Sequence, residues 1–204
     1  MAQHRLGLGR RGKAEKWQLG VSGRQNKALC PPINGIFKVC CLFGDSQLRG
    51  FVQKDAPPPN PHRRQLIINC TPGGKCADVA TEIRNFIYPY RPRLLMVEAG
   101  TNDLGRPVED ARQDFHHLLE AAKKVSEVVA FSILPRLDRL GSVVPVFNKE
   151  FERTAIEAGV SWVDLTARFP VQDLRCWAGD GLHLSDCTGL PRLAAEVSDV
   201  CCSY

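Results

Sequence analysis

Apolar residues in this chain follow two rhythms. Short, strongly apolar runs at 39–43, 65–70, 94–97, 128–134 and 161–165 are each followed by polar or turn-forming residues. Between them, apolar positions recur every three or four residues: Leu48, Phe51 and Val52; Val79, Ile83, Phe86 and Ile87; Val108, Ala111, Phe115, Leu118, Leu119, Ala122 and Val125; Phe147, Phe151, Ala155 and Ala158. The runs, rich in β-branched and large apolar types, predict short strands buried on both faces. The periodic stretches predict helices with one apolar stripe each, the last of those four stopped by Gly159 at its carboxyl cap. A final helix is expected from Pro191 through Leu193, Ala194, Ala195 and Val197. Strands alternating with helices predict an α/β fold: a parallel five-stranded sheet, helices on both faces and right-handed crossovers.

Residues 1–36 have neither rhythm and are read as a flexible basic arm that ends in the stiff linker Cys30-Pro31-Pro32, leaving 37–204 as the folded domain. Charge sharpens this division. The chain carries a net +5, and residues 1–36 hold Arg5, Arg10, Arg11, Lys13, Lys16, Arg24 and Lys27 against Glu15 alone, so the remainder is close to neutral. Three readings of the arm compete: a nucleic-acid-binding segment, in which residues 1–28 track phosphates and Trp17 stacks on a base; an organelle address; and a solvated tail.

Length and composition suit one globular domain, at 204 residues, 44% hydrophobic and 24% charged. No apolar run approaches the roughly 20 residues of a membrane span, and the amino terminus lacks the apolar core of a secretory signal. Nine cysteines, an odd number with the adjacent pairs Cys40-Cys41 and Cys201-Cys202, make a poor disulfide framework. They are read as reduced thiols, mostly core fillers, in an intracellular and cytoplasmic protein. Their spacing does not suit zinc, and no metal or cofactor is expected.

Candidate chemistry gathers at the ends of the strands. Gly44-Asp45-Ser46 follows the first, Gly73-Gly74 the turn after the second, and Gly100-Thr101-Asn102-Asp103 the third, while Asp180-Gly181-Leu182-His183 lies in a loop before the last helix. In an open α/β sheet the carboxyl ends of the strands share one rim, so these segments can meet. Ser46 could serve as a nucleophile if His183 removed its proton, and Asp180 could fix the imidazole tautomer. The backbone N–H groups of Ser46 and Gly74 and the Asn102 amide could receive a developing oxyanion. Each residue taken singly is as well explained as a turn former, a helix cap or a satisfied loop histidine.

Taken together, and in this order, Gly44-Asp45-Ser46, Gly74, Gly100-Thr101-Asn102-Asp103 and Asp180-Gly181-Leu182-His183 resemble the four blocks of the SGNH (GDSL-type) hydrolases over roughly residues 36–200. The resemblance implies a flavodoxin-like three-layer α/β/α sandwich. It also implies a serine esterase acting on small ester or lipid substrates without a cofactor, with Ser46, Asp180 and His183 as the triad and Ser46, Gly74 and Asn102 as the oxyanion hole. The segment 169–190, with Cys176-Trp177 just before the fourth block, is similar to fish SGNH-type proteins associated with transposable elements. Two departures stand out: Leu184, where many members have proline, and the doubled glycine at 73–74, of which a gapless match from Asn69 selects Gly74. The competing reading is a nucleic-acid-associated or scaffold protein that keeps the fold without turnover.

Overall fold

The computed structural model describes residues 17–32, 35–138 and 140–204. Seven strands form one sheet: β1 (Gln18–Leu19), β2 (Gln25–Leu29), β3 (Lys38–Gly44), β4 (Arg64–Cys70), β5 (Leu94–Glu98), β6 (Glu127–Phe131) and β7 (Ser161–Val163). Five α-helices accompany them: α1 (Arg49–Gln53), α2 (Cys76–Asn85), α3 (Val108–Lys123), α4 (Val144–Glu157) and α5 (Gly189–Ser203). Across the sheet the order is β1-β2-β4-β3-β5-β6-β7. The five expected strands, β3 to β7, are parallel to one another. Their order is the flavodoxin-like one, in which successive crossovers leave the first strand, here β3, in opposite directions.

Alternation along the strands divides the core in two. Val39, Cys41 and Phe43 of β3, with Leu95 and Val97 of β5, face α2, α3 and α4, where Phe115 and Phe151 stack with their centroids 4.1 Å apart. Cys40 and Leu42, with Leu94 and Met96, face the other layer, packed against Phe51 of α1 and Leu193, Val197 and Cys201 of α5. Continuous burial of both faces explains why these strands read as unbroken apolar runs. All nine cysteines are free thiols, six of them buried. Among the described residues, no helix is long and apolar enough to cross a membrane.

The structure corrects the amino-terminal boundary. Residues 18–29 were expected to be flexible, yet β1 and β2 form an antiparallel pair, and β2 joins the parallel sheet by pairing antiparallel with β4. Trp17 is buried in the α1/α5 layer with the Lys27 ammonium 5.8 Å from its ring centroid, so it is not available to stack on a base. Arg24 pairs with Asp78 at 3.3 Å, and Ser22 N–H donates to Glu82 at 2.8 Å, both on α2. This segment is held by backbone pairing and polar contacts more than by an apolar stripe, which is why its sequence shows no period. Residues 1–16, with most of the basic charge of the nucleic-acid reading, lie outside the described residues.

A smaller difference concerns the second helix. It stops at Asn85, and Ile87, expected on its buried stripe, is exposed. The chain turns extended at Phe86, whose ring meets Phe43 edge-on at 5.4 Å, and Tyr88 packs beside both. Covering Phe43 with two aromatics replaces one more helical turn.

Candidate active site

At the carboxyl end of β3 the strand hydrogen bonds give way to a single 3-10 turn, Ser46–Leu48, capped by the Asp45 carboxylate, which accepts from Gln47 N–H at 3.0 Å. Gly44 is required where the chain leaves the sheet, because a Cβ there would overlap the Glu98 carbonyl of β5. Ser46 therefore emerges between β4 and β5, where the crossovers diverge and a crevice opens. Its N–H begins the 3-10 turn and has no partner within it.

His183 arrives from the loop before α5. Its Nε2 lies 2.9 Å from Ser46 Oγ, and its Nδ1 lies 2.7 Å from Asp180 Oδ2. The other carboxylate oxygen of Asp180 accepts the N–H groups of Leu182 and His183, both at 3.0 Å. Burial alone would raise the Asp180 carboxyl. The bonds from the His183 ring and the two N–H groups outweigh it and hold the group well below the usual carboxylate range. Asp180 is thus an anion locked to the outer nitrogen of the imidazole.

Asn102 follows β5 in the 3-10 turn Thr101–Asp103. The turn needs Gly100 at φ +118°, where a Cβ would also press on Phe151 and Ile133. Asn102 Nδ2 donates to the Gly74 carbonyl at 2.9 Å, so the two expected oxyanion residues are in contact. Gly74 N–H is directed to the Thr71 carbonyl at 2.8 Å, and a ligand at this place would share that donor. The Gly74 loop is tied down from both sides. Asp103 accepts Cys76 N–H at 3.0 Å and pairs with Arg106 at 3.2 Å, while Asn26 of β2 donates to Asn69 at 2.7 Å and to Thr71 at 2.9 Å.

The structure therefore brings Ser46, Gly74, Asn102, Asp180 and His183 to one rim of the sheet. Residues with no telling spacing also belong there. Gln47 joins the serine turn to the histidine loop, and Arg136, nearly buried, donates to the Thr101 carbonyl at 3.2 Å while pairing with Asp138. Beneath them lie buried acids. Burial, reinforced by the charge of Asp103 and opposed by Gln47 N–H, pushes Asp45 up to about 7, and burial beside Asp45 keeps Glu98 well above the usual carboxylate range. Neither Glu98 oxygen has a partner among the described residues. Also among the described residues, no three His, Cys, Asp or Glu side chains are grouped to hold a metal ion.

Comparison with solved structures gives the same architecture at low identity. The chain is similar to a lipase/acylhydrolase from Enterococcus faecalis, with TM-score 0.64, 18% identity, and 82% of this chain and 96% of that one covered. It is similar to a structure described as a putative platelet activating factor from Streptococcus pneumonia, with TM-score 0.68, 18% identity, and 82% and 86% covered. A carbohydrate acetylesterase from Sinorhizobium meliloti aligns with TM-score 0.61 and 13% identity, with 81% and 99% covered. No curated protein matches the sequence. The model of the GDSL-like lipase/acylhydrolase family matches residues 42–186, which run from the end of β3 past the histidine loop and include every residue just placed at the rim. With most of its length matched in this way, the chain belongs to the GDSL-like lipase/acylhydrolase family of carboxylic ester hydrolases.

Proposed function

We propose that this protein is a serine esterase in which Ser46, His183 and Asp180 act as a triad and Ser46, Gly74 and Asn102 receive the oxyanion. The observation that carries the reading is the continuous relay from Ser46 Oγ through both imidazole nitrogens to Asp180, at 2.9 and 2.7 Å. With its proton on Nδ1 and directed at Asp180, the imidazole presents an unprotonated Nε2 to the serine hydroxyl. Ser46 Oγ attacks the ester carbonyl as its proton passes to Nε2. The carbonyl oxygen becomes an anion facing Ser46 N–H, Gly74 N–H and the second N–H of Asn102. Collapse of the intermediate expels the alcohol, which takes the proton from Nε2. Water then attacks the acyl carbonyl as it gives a proton to His183, and His183 returns that proton to Ser46 Oγ as the acyl–Oγ bond breaks and the acid leaves.

The substrates proposed are small acyl or acetyl esters and lipids, which need only this relay and an open rim. A fluorophosphonate, which reacts with an activated serine, is expected to label the protein stoichiometrically, with mass spectrometry placing the adduct on Ser46. A folded protein that takes up no label would instead be a scaffold that keeps the architecture without turnover. For nucleic-acid binding by residues 1–28 the described part of that segment gives no comparable support, since Trp17, Arg24 and Lys27 are engaged within the fold, and residues 1–16 lie outside the described residues.

A further inference from the structure

We propose that Gln47 is a positioning residue that sets the orientation of His183 by gripping the main chain on both sides of it; this rests on the triad reading above. Gln47 is 3% exposed. Its Nε2 donates to the Leu182 carbonyl at 3.0 Å, and its Oε1 accepts Leu184 N–H at 3.3 Å. These two groups flank His183 and belong to its neighbours. One amide thereby holds a residue as a parallel strand would, taking the carbonyl before it and the N–H after it. Only one orientation of the amide satisfies both bonds, since turning it over sets oxygen against oxygen and N–H against N–H. At its other end Gln47 is fixed by its own N–H on Asp45 Oδ1 at 3.0 Å.

The consequence is geometric. Ser46 and Gln47 are adjacent, so the nucleophile and the clamp on its base move as one unit, although the histidine lies 137 residues from the serine. Asp180 holds the ring nitrogen and the N–H groups of Leu182 and His183, and Ala178 N–H donates to the His183 carbonyl at 2.8 Å, so these bonds fix the loop to itself and not to the serine turn. The clamp on Leu182 and Leu184 ties that loop to the serine turn and so keeps Nε2 on Oγ. Misplacement of a reacting group by about 1 Å costs on the order of 10²-fold in rate, with no matching change in ground-state binding.

Gln47→Met keeps the volume and loses both bonds. Gln47→Leu likewise keeps most of the volume and loses both bonds, without adding a titratable group beside Asp45. Turnover of p-nitrophenyl acetate, counted per serine titrated by the fluorophosphonate, is expected to fall about 10–100-fold in kcat for both variants, with KM within about twofold. Counting per titrated serine removes any loss due to unfolding, so a purely structural role would leave kcat unchanged. A kcat within twofold of the native protein in both variants, or a change confined to KM, overturns the proposal. Failure of the native protein to react with the ester and the fluorophosphonate alike would overturn the triad reading instead.

Discussion

Ser46→Ala is expected to lower ester turnover by about 10⁴-fold or more and to abolish fluorophosphonate labelling, while the melting temperature stays close to that of the native protein. The size of the effect follows from the relay. Without Oγ, His183 has no hydroxyl to deprotonate, and what remains is whatever the oxyanion donors and substrate binding achieve with water. Stability should be spared because Ser46 lies in a one-turn element whose cap comes from Asp45, and its Oγ makes a bond to His183 rather than to the core. Assays would compare native and variant protein on p-nitrophenyl acetate, with circular dichroism as the control for folding. Native-like turnover in the variant would remove Ser46 from the mechanism.

Asn102→Ala is expected to reduce kcat by about 10²-fold, with a much smaller change in KM, because in the proposed mechanism the amide acts on charge that develops only in the transition state. The structure adds a second component. Asn102 also holds the Gly74 carbonyl, so its loss frees the loop that carries the neighbouring donor. Asn102→Asp separates the two: it preserves the shape but removes both N–H groups and adds a negative charge beside the oxyanion, so it should be at least as damaging as alanine. Steady-state kinetics on a short acyl ester decide the matter. A loss confined to KM would assign Asn102 to substrate binding alone.

The sheet from β3 to β7 and its helices were legible because burial on both faces leaves a plain mark: uninterrupted apolar runs, and helices with one stripe. The site residues were legible for a different reason. Ser46, Gly74 and Asn102 follow the ends of those runs, where a turn-forming residue has a place to act, whereas Asp180 and His183 lie in the loop before α5 and were marked only by the order of the four blocks taken together. Gln47 was not legible, because a glutamine beside a serine has no spacing that marks it, and its two acceptor and donor partners are main-chain groups of Leu182 and Leu184. Arg136 was hidden in the same way by bonding to a backbone carbonyl. The edge strands were missed because β2 is only partly buried, and its residues Gln-Asn-Lys-Ala-Leu look polar along their length.

That edge bears on where the domain can be cut. A chain begun at Phe37, at the boundary that composition alone suggests, would strip β2 from β4 and leave the main-chain groups along Ile68, Asn69 and Cys70 open to solvent. An exposed row of this kind is a template on which another chain can add a strand. Light scattering should find the shortened protein self-associating, whereas one begun at Trp17 stays dispersed; equal behaviour of the two would mean that β4 does not need its cover. The amino-terminal hairpin is thus a guard on the sheet, closing a flank through which copies of the molecule would otherwise join.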